Sequence, residues 1–146
     1  MTPLDRALVQ RKLATIVRNL DDLAAIVDLP LAEYRRDRFR QKGTERLLQE
    51  PLGAAIDANL HLLRTAGAPV PDDAYSSFLA LGRGGVLDPA LAARLAPAAG
   101  RRNRLVHEYD ALDDGRVLAA VRDARRDLGA YVAAVARYLG DGAPGA

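Results

Sequence analysis

The chain has 146 residues, of which 49% are hydrophobic and 27% charged, and its formal net charge is +2. This composition suits one globular domain with a sizeable core and argues against broad electrostatic adhesion to nucleic acid. The absence of cysteine excludes disulfides and thiolate metal sites. No apolar run approaches the ~20 residues of a membrane span, and the first five residues lack the features of a secretory signal. We therefore expect a cytoplasmic protein that does not act at membranes.

The first predicted helix begins with Thr2 as its N-cap and Pro3 at its first position, where the missing N–H of proline has no cost. Apolar residues then recur at spacings of three and four, which is typical of a helix that buries one stripe. The stripe consists of Leu4, Leu8, Val9, Leu13, Ile16, Val17, Leu20, Leu23 and Val27. Pro30 ends this helix or opens the next element.

A basic segment follows, in which residues 35–40 include four arginines. We interpret it as a solvated helix face in preference to a track for RNA. Gly43 is expected to break or bend the segment, and Thr44 to cap a restart. From Glu45 the pattern is helical again, and Pro51 is expected to interrupt and kink that helix because a mid-helix proline removes one hydrogen bond.

The middle of the chain predicts two further helices. Asp72 or Asp73 caps a short helix whose buried side carries Tyr75, Phe78 and Leu79. Glycines at 82, 84 and 85 end it, and they lack the lysine and hydroxyl residue of a P-loop. Asp88–Pro89 opens the next helix, which continues into residues 102–107.

A final helix follows the turn residues 113–115, and its buried stripe includes Tyr131, with Tyr138 also packed against the bundle. The stripe consists of Val117, Val121, Ala124, Leu128, Tyr131, Val132, Val135 and Leu139. Residues 1–139 are thus predicted to form one all-α domain, an antiparallel bundle of four or five helices. Residues 140–146 are predicted to be a disordered tail.

Residues 102–109, Arg-Asn-Arg-Leu-Val-His-Glu-Tyr, carry the groups with the clearest chemistry. An arginine binds phosphate through a planar fork, and a histidine moves protons near neutral pH. On a regular helix Arg104 and His107 share a face, whereas Arg102 and His107 lie about 140° apart. Convergence on one phosphate therefore needs the long reach of Arg102, a helix end near His107, or a second copy of the chain.

RNA cleavage by a 2′-hydroxyl needs a base for that hydroxyl and an acid for the leaving oxygen. The motif offers one histidine, so a two-fold dimer with the motif near its axis would supply both groups.

The only other histidine, His61, lies four residues after Asp57 on one helix face. We interpret this pair as structural, near the core or supporting the cleft, in preference to a second acid/base or metal pair.

The string from Arg102 to Tyr109 resembles the R-x4-H-x-Y motif of the HEPN superfamily. The chain most resembles its HepT-like branch, the toxins paired with minimal nucleotidyltransferase antitoxins. The likeness covers most of the chain, since residues 54–61 resemble the family's second-helix pattern, and residues 71–78 and 85–88 resemble its next two elements. Pro51 departs from the family pattern and leaves the shape of the second helix open.

The resemblance implies a two-fold dimer whose two motifs line a shared cleft. It also implies a metal-independent endoribonuclease, without cofactors, that is silenced by its antitoxin. By position, Arg102 would bind the phosphate, His107 would be the acid/base, and Asn103 and Arg104 would support the site. Tyr109 would lie at the site and, as in some members, accept AMP from the antitoxin. The alternative is a catalytically inactive nucleotide-binding or interaction subunit of a nucleotidyltransferase complex.

Overall fold

The structure, a computed structural model, describes the backbone of residues 3–107 and 114–141 and the side chains of residues 3–99 and 115–140. These residues form six helices and no strand: α1 (Arg6–Leu23), α2 (Leu31–Arg36), α3 (Arg38–Thr65), α4 (Ala74–Arg83), α5 (Pro89–His107) and α6 (Asp114–Asp141). The all-α prediction is confirmed, and the short α2 raises the number of helices above the four or five expected. None of the described helices is both long and apolar enough to cross a lipid bilayer.

Helix α1 begins later than predicted. Asp5 is its N-cap, because the Asp5 carboxylate accepts a hydrogen bond of 2.9 Å from the backbone N–H of Leu8. The prediction of a start at Pro3 was therefore wrong, and Thr2 lies outside the described residues. The buried stripe is confirmed over most of its length, but Val17 is 42% exposed and α1 ends at Leu23.

The break in the basic segment falls at Asp37 rather than at Gly43. Asp37 caps α3 by accepting a hydrogen bond of 3.1 Å from the backbone N–H of Arg40. Thr44 is buried inside α3, and its hydroxyl donates to the Arg40 carbonyl at 2.7 Å instead of capping a restart. A carboxylate cap thus decides where the long helix begins, and the glycine lies within it.

Pro51 does not end the helix in which it occurs. It is buried in the interior of α3, which continues for fourteen more residues to Thr65. The predicted interruption is therefore wrong. The apolar residues on both sides of Pro51, among them Leu48 and Leu52, face the same core, so tertiary packing outweighs the loss of one backbone hydrogen bond.

Helices α4 and α5 are packed closely against one another. Asp73 caps α4 through its contact with the Ser76 N–H at 2.7 Å, and Phe78 is fully buried. Tyr75 was predicted to be buried but is 49% exposed. A Cβ atom at Gly82 would lie 2.8 Å from the Cβ of Ala92, so this glycine, which lies inside α4, permits the close approach of the two helices.

A buried hydrogen-bond network joins α6, α3 and α4. The Tyr131 hydroxyl lies 2.6 Å from Asn59 Oδ1 and 3.1 Å from the Ala55 carbonyl. The Asn59 amide donates to Ser77 Oγ at 3.1 Å, and the Tyr131 ring meets Phe78 edge to face at 6.1 Å between centroids. Burial raises the pKa of the Tyr131 hydroxyl, so it stays protonated and can donate.

Helices α3 and α6 run in the same direction. Leu48 and Leu52 of α3 share the wall of a small cavity with α6 residues 120–128, and further along both helices Ala55 contacts Tyr131. Tyr138 packs against the core as predicted. Helix α6 continues through Gly140 to Asp141, two residues into the predicted tail, and residues 142–146 lie outside the described residues.

Candidate active site

Helix α5 carries the predicted site on its last two turns. Asp88 begins it, accepting a hydrogen bond of 2.7 Å from the Ala90 N–H as the sequence predicted. Its buried face is small and apolar, so the helix lies close to its neighbours. That face consists of Leu91, Ala92, Leu95, Ala96, Ala98 and Ala99. The backbone continues from this packed part without interruption through Arg102 to His107.

The motif lies on the last described turns of α5. The helix includes Arg102, Asn103, Arg104 and His107, and His107 is the last residue described before the gap at 108–113. The expected helix end near the histidine stays a prediction, because the residues that follow His107 lie outside the described residues. Tyr109 lies outside the described residues, as do Asp110 and Asp113.

The regular helix fixes where the predicted residues lie around its axis. Positions 104 and 107 lie on one face of the helix, whereas position 102 lies about 140° away from position 107. The backbone of one helix therefore does not place all three residues on one face. The predicted two-fold dimer would supply a second such helix, and it stays a prediction.

Helix α5 runs antiparallel to α6. Arg94 contacts Asp127, whereas Ala98, one turn later on α5, lines the small cavity together with Ala124, which precedes Asp127 on α6. The last turns of α5 therefore point to the end of the bundle at which α3 and α6 begin. We call this end, formed by the last turn of α5 and the first turns of α3 and α6, the motif end.

A charged contact that sequence reasoning did not identify fixes α5 against α6. The side chain of Asp127 is buried, and its Oδ1 atom accepts hydrogen bonds from Arg94 Nε at 3.1 Å and Arg126 Nε at 2.9 Å. Burial raises the pKa of Asp127, but the hydrogen bonds and charges of Arg126 and Arg94 outweigh it, so the pKa lies below its ordinary value. Arg94 is two turns before Arg102, and this contact therefore positions the helix that carries the motif.

Asp57 and His61 contact different residues and do not act as a pair. The exposed Asp57 pairs with Lys12 Nζ at 3.0 Å. His61 is buried, and its Nε2 atom accepts a hydrogen bond of 3.0 Å from the backbone N–H of Asp5. Both contacts join α3 to α1, which agrees with the structural interpretation. Within the described part of the chain, no three histidine or carboxylate residues form a possible metal site.

The comparison with known proteins agrees with the fold and with the family resemblance. Residues 16–135 match the family described as "Ribonuclease HepT-like". The chain is similar to the tRNA nuclease HepT of Aphanizomenon flos-aquae (strain 2012/KM1/D3), with 37% identity over 139 residues and 95% of each chain covered.

Two solved structures resemble the fold. One is a toxin–antitoxin crystal structure with AMP-PNP, with a TM-score of 0.82, 23% identity, and 90% of this chain and 99% of that chain covered. The other is a tri-AMPylated HEPN toxin of Shewanella oneidensis in complex with its MNT antitoxin, with a TM-score of 0.82, 23% identity, and coverage of 92% and 99%. The match over residues 16–135, together with the 37% identity to the Aphanizomenon nuclease, shows that this chain belongs to the ribonuclease HepT-like family of HEPN proteins.

Proposed function

We propose that this ribonuclease is the toxin of a type VII-like toxin–antitoxin pair and a metal-independent endoribonuclease that cleaves tRNA. The observation that carries the proposal is the similarity to a tRNA nuclease over 95% of both chains. The continuous helix that bears Arg102 and His107 supports it, because one backbone element holds both residues of the predicted site.

In the proposed reaction a 2′-oxygen of the RNA attacks the adjacent phosphorus, and the bond from phosphorus to the 5′-oxygen of the next nucleotide breaks. His107 of one protomer takes the proton of the 2′-hydroxyl, and His107 of its partner gives a proton to the departing 5′-oxygen. Arg102 neutralises the crowded phosphate, and Asn103 and Arg104 support the local geometry. The products are a cyclic 2′,3′-phosphate and a free 5′-hydroxyl. A two-fold dimer is needed because each protomer supplies one histidine to the cleft.

Silencing is proposed to occur through a nucleotidyltransferase antitoxin that transfers AMP to Tyr109. The tyrosine oxygen attacks the α-phosphorus of ATP, pyrophosphate leaves, and the hydroxyl proton passes to solvent. The adduct places bulk and negative charge where an RNA phosphate must bind. A HEPN toxin of the same fold is described as AMPylated and in complex with an antitoxin, which supports this proposal.

The test is inducible expression in a bacterial host of the wild type, His107→Ala and Arg64→Ala, followed by gel analysis of total RNA. Arg64 is an exposed arginine in the last turn of α3, far from the motif end, and serves as the matched control. We expect growth arrest and tRNA fragments from the wild type and from Arg64→Ala. His107→Ala should lower the cleavage rate at least about 100-fold. Intact RNA and normal growth with the folded wild type would refute the proposal and favour the inactive interaction subunit.

A further inference from the structure

A basic corner lies between α2 and α3, where the chain turns sharply at Asp37. Arg36, Arg38 and Arg40 are exposed there, and none of the three pairs with a carboxylate within the described part of the chain. Between them, Phe39 is 92% exposed, the highest value among the large hydrophobic residues described. We call residues 35–40 the basic corner.

The basic corner is firmly built although its side chains face solvent. Tyr34, which precedes it, is fully buried. The Gln41 side-chain amide donates hydrogen bonds to the backbone carbonyls of Tyr34 at 3.1 Å and Arg35 at 2.9 Å. These bonds give the carbonyls at the end of α2 hydrogen-bond partners. Asp37 caps α3. Ordered backbone beneath exposed arginines lowers the entropic cost of holding a ligand.

The exposure of Phe39 bears on whether this segment is a solvated helix face or a track for RNA. A purely solvated face needs polar residues, and an almost fully exposed phenylalanine contributes nothing to the core. Phenylalanine rings that lie between arginines are the platform on which proteins stack unpaired nucleic-acid bases, while the arginines bind the flanking phosphates. The exposed ring of Phe39 therefore favours a track for RNA over a purely solvated face.

The basic corner also lies at the motif end of the bundle. Leu48 of α3 and Ala98 of α5 line one cavity, and from there the two antiparallel helices continue toward the same end. Phe39 lies nine residues before Leu48, and His107 lies nine residues after Ala98, which is about 13 Å along each axis. Helices in contact are about 8–10 Å apart, so one RNA strand can reach both places.

We propose that the basic corner binds the RNA substrate beside the cleavage site, with one unpaired base stacked on Phe39 and its neighbouring phosphates held by Arg36, Arg38 and Arg40. This inference rests on the proposed ribonuclease function and adds the way in which single-stranded RNA is held. It predicts a preference for unpaired nucleotides that comes from a surface outside the motif.

The experiment measures binding of dye-labelled RNA of about 12 nucleotides to full-length protein carrying His107→Ala, so that cleavage does not interfere. Phe39→Ala in that background should weaken binding of single-stranded RNA about tenfold and leave binding of the same sequence as a duplex unchanged. The matched control is Tyr75→Ala, which removes another exposed aromatic residue, near Ser77 of α4, and should bind like the parent.

The contribution of the basic corner's charges is tested with two double variants. The test variant carries Arg38→Gln and Arg40→Gln, and the control variant carries Arg64→Gln and Arg137→Gln. All four arginines are exposed, so both double variants lose the same charge. The first pair should lower the slope of log affinity against log salt by about 1.4 for single-stranded RNA, and the second should leave it unchanged.

Two results would overturn the inference. One is that Phe39→Ala and the Arg38 and Arg40 variants bind RNA like their controls. The other is that these variants lose binding to the antitoxin while they keep binding to RNA, which would make the corner a protein interface. A wild type that binds RNA through this corner but does not cleave it would refute the proposed function alone.

Discussion

Replacing Tyr131 by phenylalanine tests whether the buried network holds the bundle together. The substitution keeps the aromatic ring and its edge-to-face contact with Phe78 and removes the hydroxyl that lies 2.6 Å from Asn59 Oδ1. Asn59 is fully buried, so its carbonyl oxygen would lose a donor that water cannot replace. Such an unsatisfied group costs about 1–3 kcal/mol.

For a domain of this size, 1 kcal/mol lowers the midpoint of thermal unfolding by about 2–4 °C. A central value of about 2 kcal/mol therefore predicts a fall of about 4–8 °C in the Tm of Tyr131→Phe. Urea denaturation of the wild type and the variant should give the same difference in free energy with an unchanged slope. Tyr75→Phe removes a hydroxyl from a half-exposed ring and should change stability by less than about 0.5 kcal/mol.

A double-mutant cycle with Asn59→Leu separates the hydrogen bond from packing. Because replacing both partners by apolar groups removes the unsatisfied atom, the double variant should lose less than the sum of the two single variants. RNA cleavage well below the Tm should be retained, since this network lies on the far side of the small cavity from the motif end. Additive losses, or a Tyr131→Phe protein as stable as the wild type, would refute the reasoning.

Three further predictions concern other parts of the molecule. Asp127→Asn should cost about 1–2 kcal/mol at pH 7, because charge-assisted hydrogen bonds are lost but the arginine partners are partly screened by solvent. The pKa of Asp127 is lowered on folding, so the stabilisation by its carboxylate is complete above the ordinary pKa of 3.8 and is lost as the pH falls below that value. In chemical denaturation, the free energies of unfolding of the wild type and Asp127→Asn should therefore converge at low pH. Tyr109→Phe should remain toxic but escape AMP transfer, as measured by growth with the antitoxin and by mass spectrometry; silencing of this variant with an AMP adduct elsewhere would contradict that prediction. Gly82→Ala should destabilise the α4–α5 contact by about 1–3 kcal/mol in urea denaturation, whereas Gly129→Ala, with open space around it, should be neutral or stabilising.

The sequence was most informative where its signal was local and periodic. The stripes of α1 and α6 and the caps at Asp73 and Asp88 depend on neighbours within one or two turns, and the structure agrees with them. The errors arose where tertiary packing outweighs a local breaker, as at Gly43 and Pro51, both of which lie inside α3.

In the candidate site, too, local features could be predicted from the sequence and tertiary contacts could not. The motif from Arg102 to His107 was recognisable because its residues lie within two helical turns, and the backbone of α5 accommodates it. The contact between Arg94 and Asp127 joins residues 33 apart in the chain, and no local pattern indicates which of many arginines meets a given carboxylate. Phe39 was overlooked because its importance lies in its exposure, and exposure depends on how α2 and α3 meet.

Burial also governs which tyrosine hydroxyls a modifying enzyme can reach. Tyr34 and Tyr131 are fully buried in the core, and burial raises the pKa of the partly covered Tyr138. Tyr75 is half exposed but lies beside Ser77 on α4, away from the motif end. Most of the tyrosine hydroxyls among the described residues are therefore covered by the fold and are poorly accessible to an enzyme that transfers a nucleotide to a tyrosine oxygen. The packing of the bundle would in this way leave such an enzyme few tyrosines to choose among besides the proposed acceptor Tyr109.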